Sequence, residues 1–219
     1  KITINPKFLI LDEADEMLNM GFLEDIRRIV KFFPEREQTL LFSATMAEQI
    51  KSLAKTLQNN PEFIRTEKST VTKNSIEQYY YVVEEHERND AIVRLLEYSD
   101  PKKSIVFCRT KRETALLSEY LSGQGYSTKA LHGDVEQWDR QKVMKAFRSN
   151  QFEVLVATDV AARGLDVRDV SHVFNYHIPF ESESYVHRIG RTGRADKEGV
   201  AMMLVTPHEL KELERIKKD

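Results

Sequence analysis

Short apolar runs alternate along the chain with segments whose apolar residues recur at helical spacing. The runs at 7–11, 39–43, 62–66, 76–83, 103–108, 127–131, 153–157, 171–176 and 199–205 are rich in Ile, Val, Leu, Phe and Tyr. Most are continuously apolar, not alternating, which is the pattern of strands covered on both faces. Phe22, Leu23, Ile26, Ile29, Val30 and Phe33 share a face of a helix over 22–33, and Ile50, Leu53, Ala54 and Leu57 do so over 46–58. Segments 87–98, 111–122, 136–149 and 207–218 read as further helices. Strands alternating with helices predict βαβ units and mostly parallel sheets, an α/β chain.

One polar stretch, Thr66 to Ser75, has no apolar period and reads as an interdomain linker at 67–75. Residues 76–219 after it hold six strands, enough for a complete α/β domain. Residues 1–66 before it hold three strands and two long helices, small for an independent domain, and are expected to be part of one.

Composition narrows the class. The 219 residues are 41% hydrophobic and 31% charged with only 8 Gly and 6 Pro, which supports a buried core and excludes collagen-like and disordered chains. The single cysteine, Cys108, excludes a disulfide framework and a cysteine zinc knuckle. Its place in an apolar run predicts burial, not reactivity. No apolar run approaches the roughly 18–20 residues that span a bilayer. The start, Lys-Ile-Thr-Ile-Asn-Pro-Lys, has no secretory core, so the expected setting is cytoplasmic, without a membrane partner. A net charge of −2 does not mark a nucleic-acid binder, so any such role must rest on local clusters.

Six segments carry such chemistry. The run Phe8–Leu11 ends in Asp12-Glu13-Ala14-Asp15, placing carboxylates at the sheet edge where α/β ligands bind. An Asp there suits a hydrated Mg²⁺ and a Glu suits a water, although acidic residues also suit a first helical turn. Leu40–Phe42 ends in Ser43-Ala44-Thr45, hydroxyls that equally suit a helix N-cap. Ser104–Cys108 runs into the basic turn Arg109-Thr110-Lys111 at a helix start, which suits phosphate. His132-Gly133-Asp134 precedes a locally basic helix in which Gln137 and Arg140 share a face. Val154–Ala157 ends in Thr158-Asp159, and Arg163-Gly164 then turns to present Asp166. Finally, His187-Arg188-Ile189-Gly190-Arg191-Thr192-Gly193-Arg194 sets three arginines three apart among glycines, and guanidinium forks bind phosphate bidentately.

Together and in this order, from about residue 8 to about 206, these segments resemble the DEAD-box family of RNA helicases. Asp15 and His187 separate the chain from DEAH-type relatives, which carry His and usually Gln at those places. The resemblance implies RecA-like parallel sheets flanked by helices, one complete domain plus a partial one. It implies ATP and Mg²⁺ as cofactors and RNA as partner. Asp12 is then expected to hold Mg²⁺ through water, Glu13 to position the attacking water, and Arg191 and Arg194 to act as arginine fingers. Asp15, Ser43, Thr45 and His187 would couple the nucleotide site to domain closure, and Gly164 and Asp166 would approach the nucleotide. Arg109, Gly133, Gln137, Arg140 and Thr158 would contact RNA.

The sequence departs from the family in one region. No glycine is followed by Lys, and no proline by Thr, so the phosphate-binding loop and the adenine-recognising Q motif are both missing. The chain is therefore expected to be the C-terminal part of a helicase core. It is expected to need the missing N-terminal part for ATP hydrolysis, and to associate through the edge that part leaves bare. Two alternatives remain at this point: a non-enzymatic module that binds RNA or a partner, and a DNA helicase of the same superfamily.

Overall fold

The computed structural model describes residues 5–65, 76–162, 170–193 and 198–218. The chain divides into two compact units, Lys1–Glu67 and Lys68–Asp219. The predicted linker at 67–75 lies outside the described residues, as do Gly164, Asp166 and Arg194. Among the described residues, no helix is long and apolar enough to cross a membrane.

In the first unit, β1 (Phe8–Leu11) and β2 (Gln38–Leu41) pair in parallel, with Phe8 opposite Gln38 and Leu11 opposite Leu41. Helices α1 (Ala14–Asn19), α2 (Leu23–Val30) and α3 (Glu48–Leu57) complete it. Leu9, Leu11 and Leu41 pack against Ile26 and Val30 of α2 and Leu53 and Leu57 of α3. Strand geometry sends alternate side chains the other way, so Phe8 and Ile10 are 56% and 57% exposed. Coverage on both faces, as the continuous apolar run predicted, is therefore not seen within the described part of this unit. The strand predicted at 62–66 is also corrected. Asn60 adopts φ 46° ahead of Pro61, and residues 61–65 run irregular and exposed, with no strand paired to them among the described residues.

The second unit holds one six-stranded sheet, built from β3 (Ile76–Val82), β4 (Ser104–Cys108), β5 (Thr128–Leu131), β6 (Val154–Thr158), β7 (His172–Asn175) and β8 (Gly199–Val205). All pairs are parallel, in the order β3-β8-β7-β4-β6-β5. The intervening helices are α4 (Arg88–Ser99), α5 (Lys111–Gly123), α6 (Gln137–Arg148), α7 (Asp159–Ala162), α8 (Ser182–Ile189) and α9 (Leu210–Lys218).

Central β4 and β6 are buried along their whole length, as their unbroken apolar runs require. Ile105, Phe107 and Leu155 meet Met144 and Phe147 of α6, while Val106, Val156 and Phe174 meet Ile92 and Leu96 of α4 and Leu117 and Leu121 of α5. Met203 and Val205 meet Tyr185 and Ile189 of α8 and Leu213 and Ile216 of α9. Cys108 is fully buried, and burial pushes its thiol far above the ordinary range, in line with the inert role expected. Strand β3, whose run is broken by Glu77 and Gln78, is not covered on both faces. Among the described residues it pairs only with β8 at the sheet edge, and Glu77, Tyr79, Tyr80 and Val82 are exposed.

Candidate functional site

Parallel strands deliver all their carboxyl ends to one edge, so each unit collects its chemistry-bearing loops there. In the first unit β1 stops at Leu11 because Glu13 takes the left-handed conformation (φ 51°, ψ 47°), from which α1 starts at Ala14. Left-handed backbone is costly for a residue with a Cβ. It is held here by bonds on both sides: the Phe42 amide donates to the Leu11 carbonyl at 2.7 Å, and the Ala14 amide donates to the Phe42 carbonyl at 3.0 Å.

Asp15 is buried, and its Oδ2 accepts both the Thr45 amide (2.8 Å) and the Thr45 hydroxyl (3.0 Å). Asp12, Glu13, Asp15, Ser43 and Thr45 are thus brought to one edge. Thr45 is spent on Asp15, while the buried Ser43 Oγ has no partner among the described residues. Asp12 stays exposed, its Oδ1 accepting the Glu13 amide at 2.9 Å. Among the described residues no three His, Cys, Asp or Glu side chains form a cage for a metal ion. A lone exposed carboxylate fits a Mg²⁺ that keeps its waters and takes its remaining ligands from phosphates.

In the second unit the chain leaves β4 toward β5 and leaves β7 toward β8, which puts the topological switch point between β4 and β7. Arg109 follows β4 there, and Tyr176 and His177 follow β7. The Arg109 guanidinium lies 4.8 Å over the Phe180 ring and donates to Glu209 Oε1 at 3.1 Å. The Arg109 amide donates to His177 Nδ1 at 3.4 Å, and His177 Nε2 is 3.4 Å from Glu113. Burial pulls the His177 imidazole down to about 4 against the opposing pull of Glu113. Thr110 forms a capping box with Glu113, so its hydroxyl serves the start of α5.

Thr158 is buried, and its Oγ1 accepts the Ala161 amide at 3.4 Å. Arg140 Nη1 donates to the Ala161 carbonyl at 3.1 Å, tying α6 to α7. Gln137 opens α6 and is exposed. Gly133 is exposed too, and a Cβ on it would meet nothing within 4 Å, so no packing inside the chain demands a glycine there.

The arginine-rich segment is divided by the fold. Arg188 is only 2% exposed. Its Nε and Nη2 donate to the two carboxylate oxygens of Asp159 at 2.6 and 2.7 Å. Its Nη1 donates to Asn175 Oδ1 (3.0 Å) and to the His177 carbonyl (2.8 Å). Arg188 therefore ties the last turn of α8 to the start of α7 and the end of β7, whereas His187 and Arg191 remain half-buried beside it. Thr192 is buried and donates to the Val170 carbonyl at 2.6 Å. Gly193 follows with φ 67°. The sequence reading missed Asp159, Arg188, His177 and Glu209 as parts of this edge. Asp159 stood at a strand end and Arg188 in the arginine series, but nothing in the linear spacing paired them, and Glu209 offered no signal.

Comparison with known proteins agrees with this geometry. The model of the DEAD/DEAH box helicase family matches residues 1–53, and that of the helicase conserved C-terminal domain matches 87–196. The DEAD-box ATP-dependent RNA helicase RhpA of Helicobacter pylori is 56% identical over 214 residues, 98% of this chain and 44% of the relative. The chain thus spans less than half the length of that relative. Saccharomyces cerevisiae Dbp5 bound to RNA and ADP BeF3 superposes with TM-score 0.85 at 33% identity, over 97% of this chain and 56% of that one. The Escherichia coli DEAD-box protein SrmB, solved with regulator of ribonuclease activity A, gives TM-score 0.61 at 37% identity, over 65% of this chain and 84% of that one. Both units are RecA-like, and the chain belongs to the DEAD-box helicase family.

Proposed function

We propose that the complete protein is a cytoplasmic ATP-dependent RNA helicase, in which RNA-stimulated hydrolysis drives local parting of short duplexes without reading sequence. One observation carries the reading. In each unit the residues suited to phosphate chemistry collect at the carboxyl edge of a parallel sheet, joined there by hydrogen bonds between segments far apart in sequence, as Asp15 is to Thr45 and Arg188 to Asp159.

Asp12 would hold Mg²⁺ through water, and the ion would neutralise charge on the phosphates when bound. Glu13 orients the attacking water and accepts its proton. Arg191 and Arg194 supply guanidinium charge to the transferred phosphate, and Gly164 and Asp166 approach the ribose side. Asp15, Ser43, Thr45 and His187 relay nucleotide state to closure. Arg109, Gly133, Gln137, Arg140 and Thr158 meet the RNA backbone, with Arg109 as the phosphate contact at the switch point. Such contacts position a strand and carry no sequence information, while 2′-hydroxyl contacts favour RNA over DNA.

The test is phosphate release from Mg-ATP by the complete protein, with single-stranded RNA, with the matching DNA and with neither. RNA alone is expected to stimulate. Arg191→Ala is expected to lower the stimulated rate by about 10³–10⁵, the scale of an arginine finger. Equal stimulation by DNA, or an Arg191→Ala rate within tenfold of the parent, would sink the reading.

A further inference from the structure

Arg109 is held unusually firmly for a surface arginine. Its amide, its guanidinium edge and its guanidinium face each have a separate partner: His177, Glu209 and Phe180. Glu209 is itself fixed. Its Oε2 accepts Arg88 Nη2 (2.5 Å), the Thr206 amide (2.9 Å) and the Thr206 hydroxyl (3.2 Å), which leaves Oε1 for Arg109. Arg88 is 1% exposed and also donates to the carbonyls of Tyr176 and Leu204 and to Glu85. Burial alone would raise the Glu209 carboxyl, but the Thr206 amide and the Arg88 charge outweigh it and hold it below its usual value. Phe180, by contrast, is 68% exposed, so its ring does little for the core. Its carbonyl accepts Arg215 of α9.

An arginine loses rotamer freedom when it grips a phosphate. Glu209 and Phe180 impose that loss during folding, before any ligand arrives. We infer that Glu209 and Phe180 are positioning residues that pre-set the Arg109 guanidinium for an RNA phosphate, with Arg88 anchoring Glu209 from the core. The inference rests on the RNA reading of Arg109 given above. A different role for Glu209 makes the opposite prediction. As a mere neutraliser of Arg109, its carboxylate would repel phosphate, and its removal would tighten binding.

The experiment measures binding of a fluorescein-labelled oligouridylate to the complete protein with a non-hydrolysable ATP analogue. The variants are Arg109→Ala, Glu209→Gln, Phe180→Leu and Phe180→Trp, plus Glu209→Gln and Phe180→Leu on the Arg109→Ala background. Arg109→Ala is expected to weaken binding about tenfold and to lower the salt slope by about 0.7. Glu209→Gln and Phe180→Leu are each expected to weaken it about two- to tenfold and to add nothing on the Arg109→Ala background. Phe180→Trp keeps an aromatic face and is expected to bind as the parent does.

Tighter or unchanged binding in both Glu209→Gln and Phe180→Leu overturns the inference while Arg109 stays an RNA contact. Equal losses with and without Arg109 overturn it too, since the effect would then run through the fold. Unchanged binding in Arg109→Ala removes the RNA reading of that residue, and the inference falls with it. Because Glu209→Gln touches the buried Arg88, the exposed Phe180→Leu keeps the test decisive if the former does not fold.

Discussion

Asp159→Ala isolates the ion pair that braces the second unit. The change removes the carboxylate that pairs with Arg188 among the described residues; Arg188 is 2% exposed and its guanidinium donates two bonds of 2.6 and 2.7 Å to that partner. The Asn175 and His177 oxygens remain, at 3.0 and 2.8 Å, but neither carries negative charge. Stranding a buried charge in this way costs about 3–5 kcal/mol. Against a domain stability of about 5–15 kcal/mol, that is a large fraction. At roughly 2–4 °C per kcal/mol for a domain of this size, the melting midpoint of the second unit is expected to fall by about 10 °C.

The assay is thermal unfolding followed by circular dichroism or calorimetry. The control is Asp159→Ala with Arg188→Met, which removes both charges and fills the space with an apolar chain. That pair is expected to regain most of the loss, because an intact buried ion pair adds little over an apolar replacement. A single variant melting within about 3 °C of the parent, the scale of an exposed pair, would refute the reasoning. So would a double variant melting lower than the single one, since volume and not charge would then be the cause.

Two further outcomes concern His177, at the same edge, and Gly199, at the opposite end of the sheet. The folded chain keeps His177 neutral down to about pH 4, while the unfolded chain takes up a proton below about 6.5; stability is therefore full above pH 6.5 and falls as pH drops toward 4. Between about pH 7.5 and 5 the loss is expected to reach about 2 kcal/mol in urea titrations, and an unchanged slope in His177→Gln would refute the assignment. At Gly199 an added Cβ would sit 2.4 Å from both the Gly193 amide nitrogen and Thr192 Oγ1, so Gly199→Ala must push the arginine-bearing turn away. It is expected to cost about 1–3 kcal/mol or more and to depress RNA-stimulated turnover. Parent-like melting and turnover would show that the approach is looser than described.

Most of the strands and longer helices were legible because continuous apolar runs and helical periods report burial directly. The runs 103–108 and 153–157 read as doubly covered strands, and β4 and β6 are so within a residue at either end. Helices α1 and α7, six and four residues long, are too short to show a period. Apolar content misled where the covering layer is one-sided, as at Phe8 and Ile10, and where Phe63 and Ile64 are exposed in irregular backbone. The Asp15–Thr45 bond joins two segments that the sequence marked separately, each with a plausible capping role. The arginine series showed its spacing but not its division. Which guanidinium turns inward depends on Asp159 and Asn175 arriving from other strands, and linear spacing does not carry that. Glu209 was invisible for the same reason: it looks like an ordinary cap in a Thr-Pro-His-Glu turn.

The pairing of β3 with β8 has a consequence for synthesis of the chain. Ile76 lies opposite Gly199, so among the described residues the first strand of the second unit finds its one partner on the order of 120 residues later. At about 5–20 residues per second, Tyr79, Tyr80 and their neighbours wait roughly 6–24 s on the ribosome with both edges of the strand unpaired. The inner strands β4, β5, β6 and β7 all precede β8 in the chain. A nascent chain stalled before residue 199 therefore leaves β3 without the ladder that β8 supplies, and the last strand of the sheet to be made gives it one paired edge while Tyr79 and Tyr80 stay exposed.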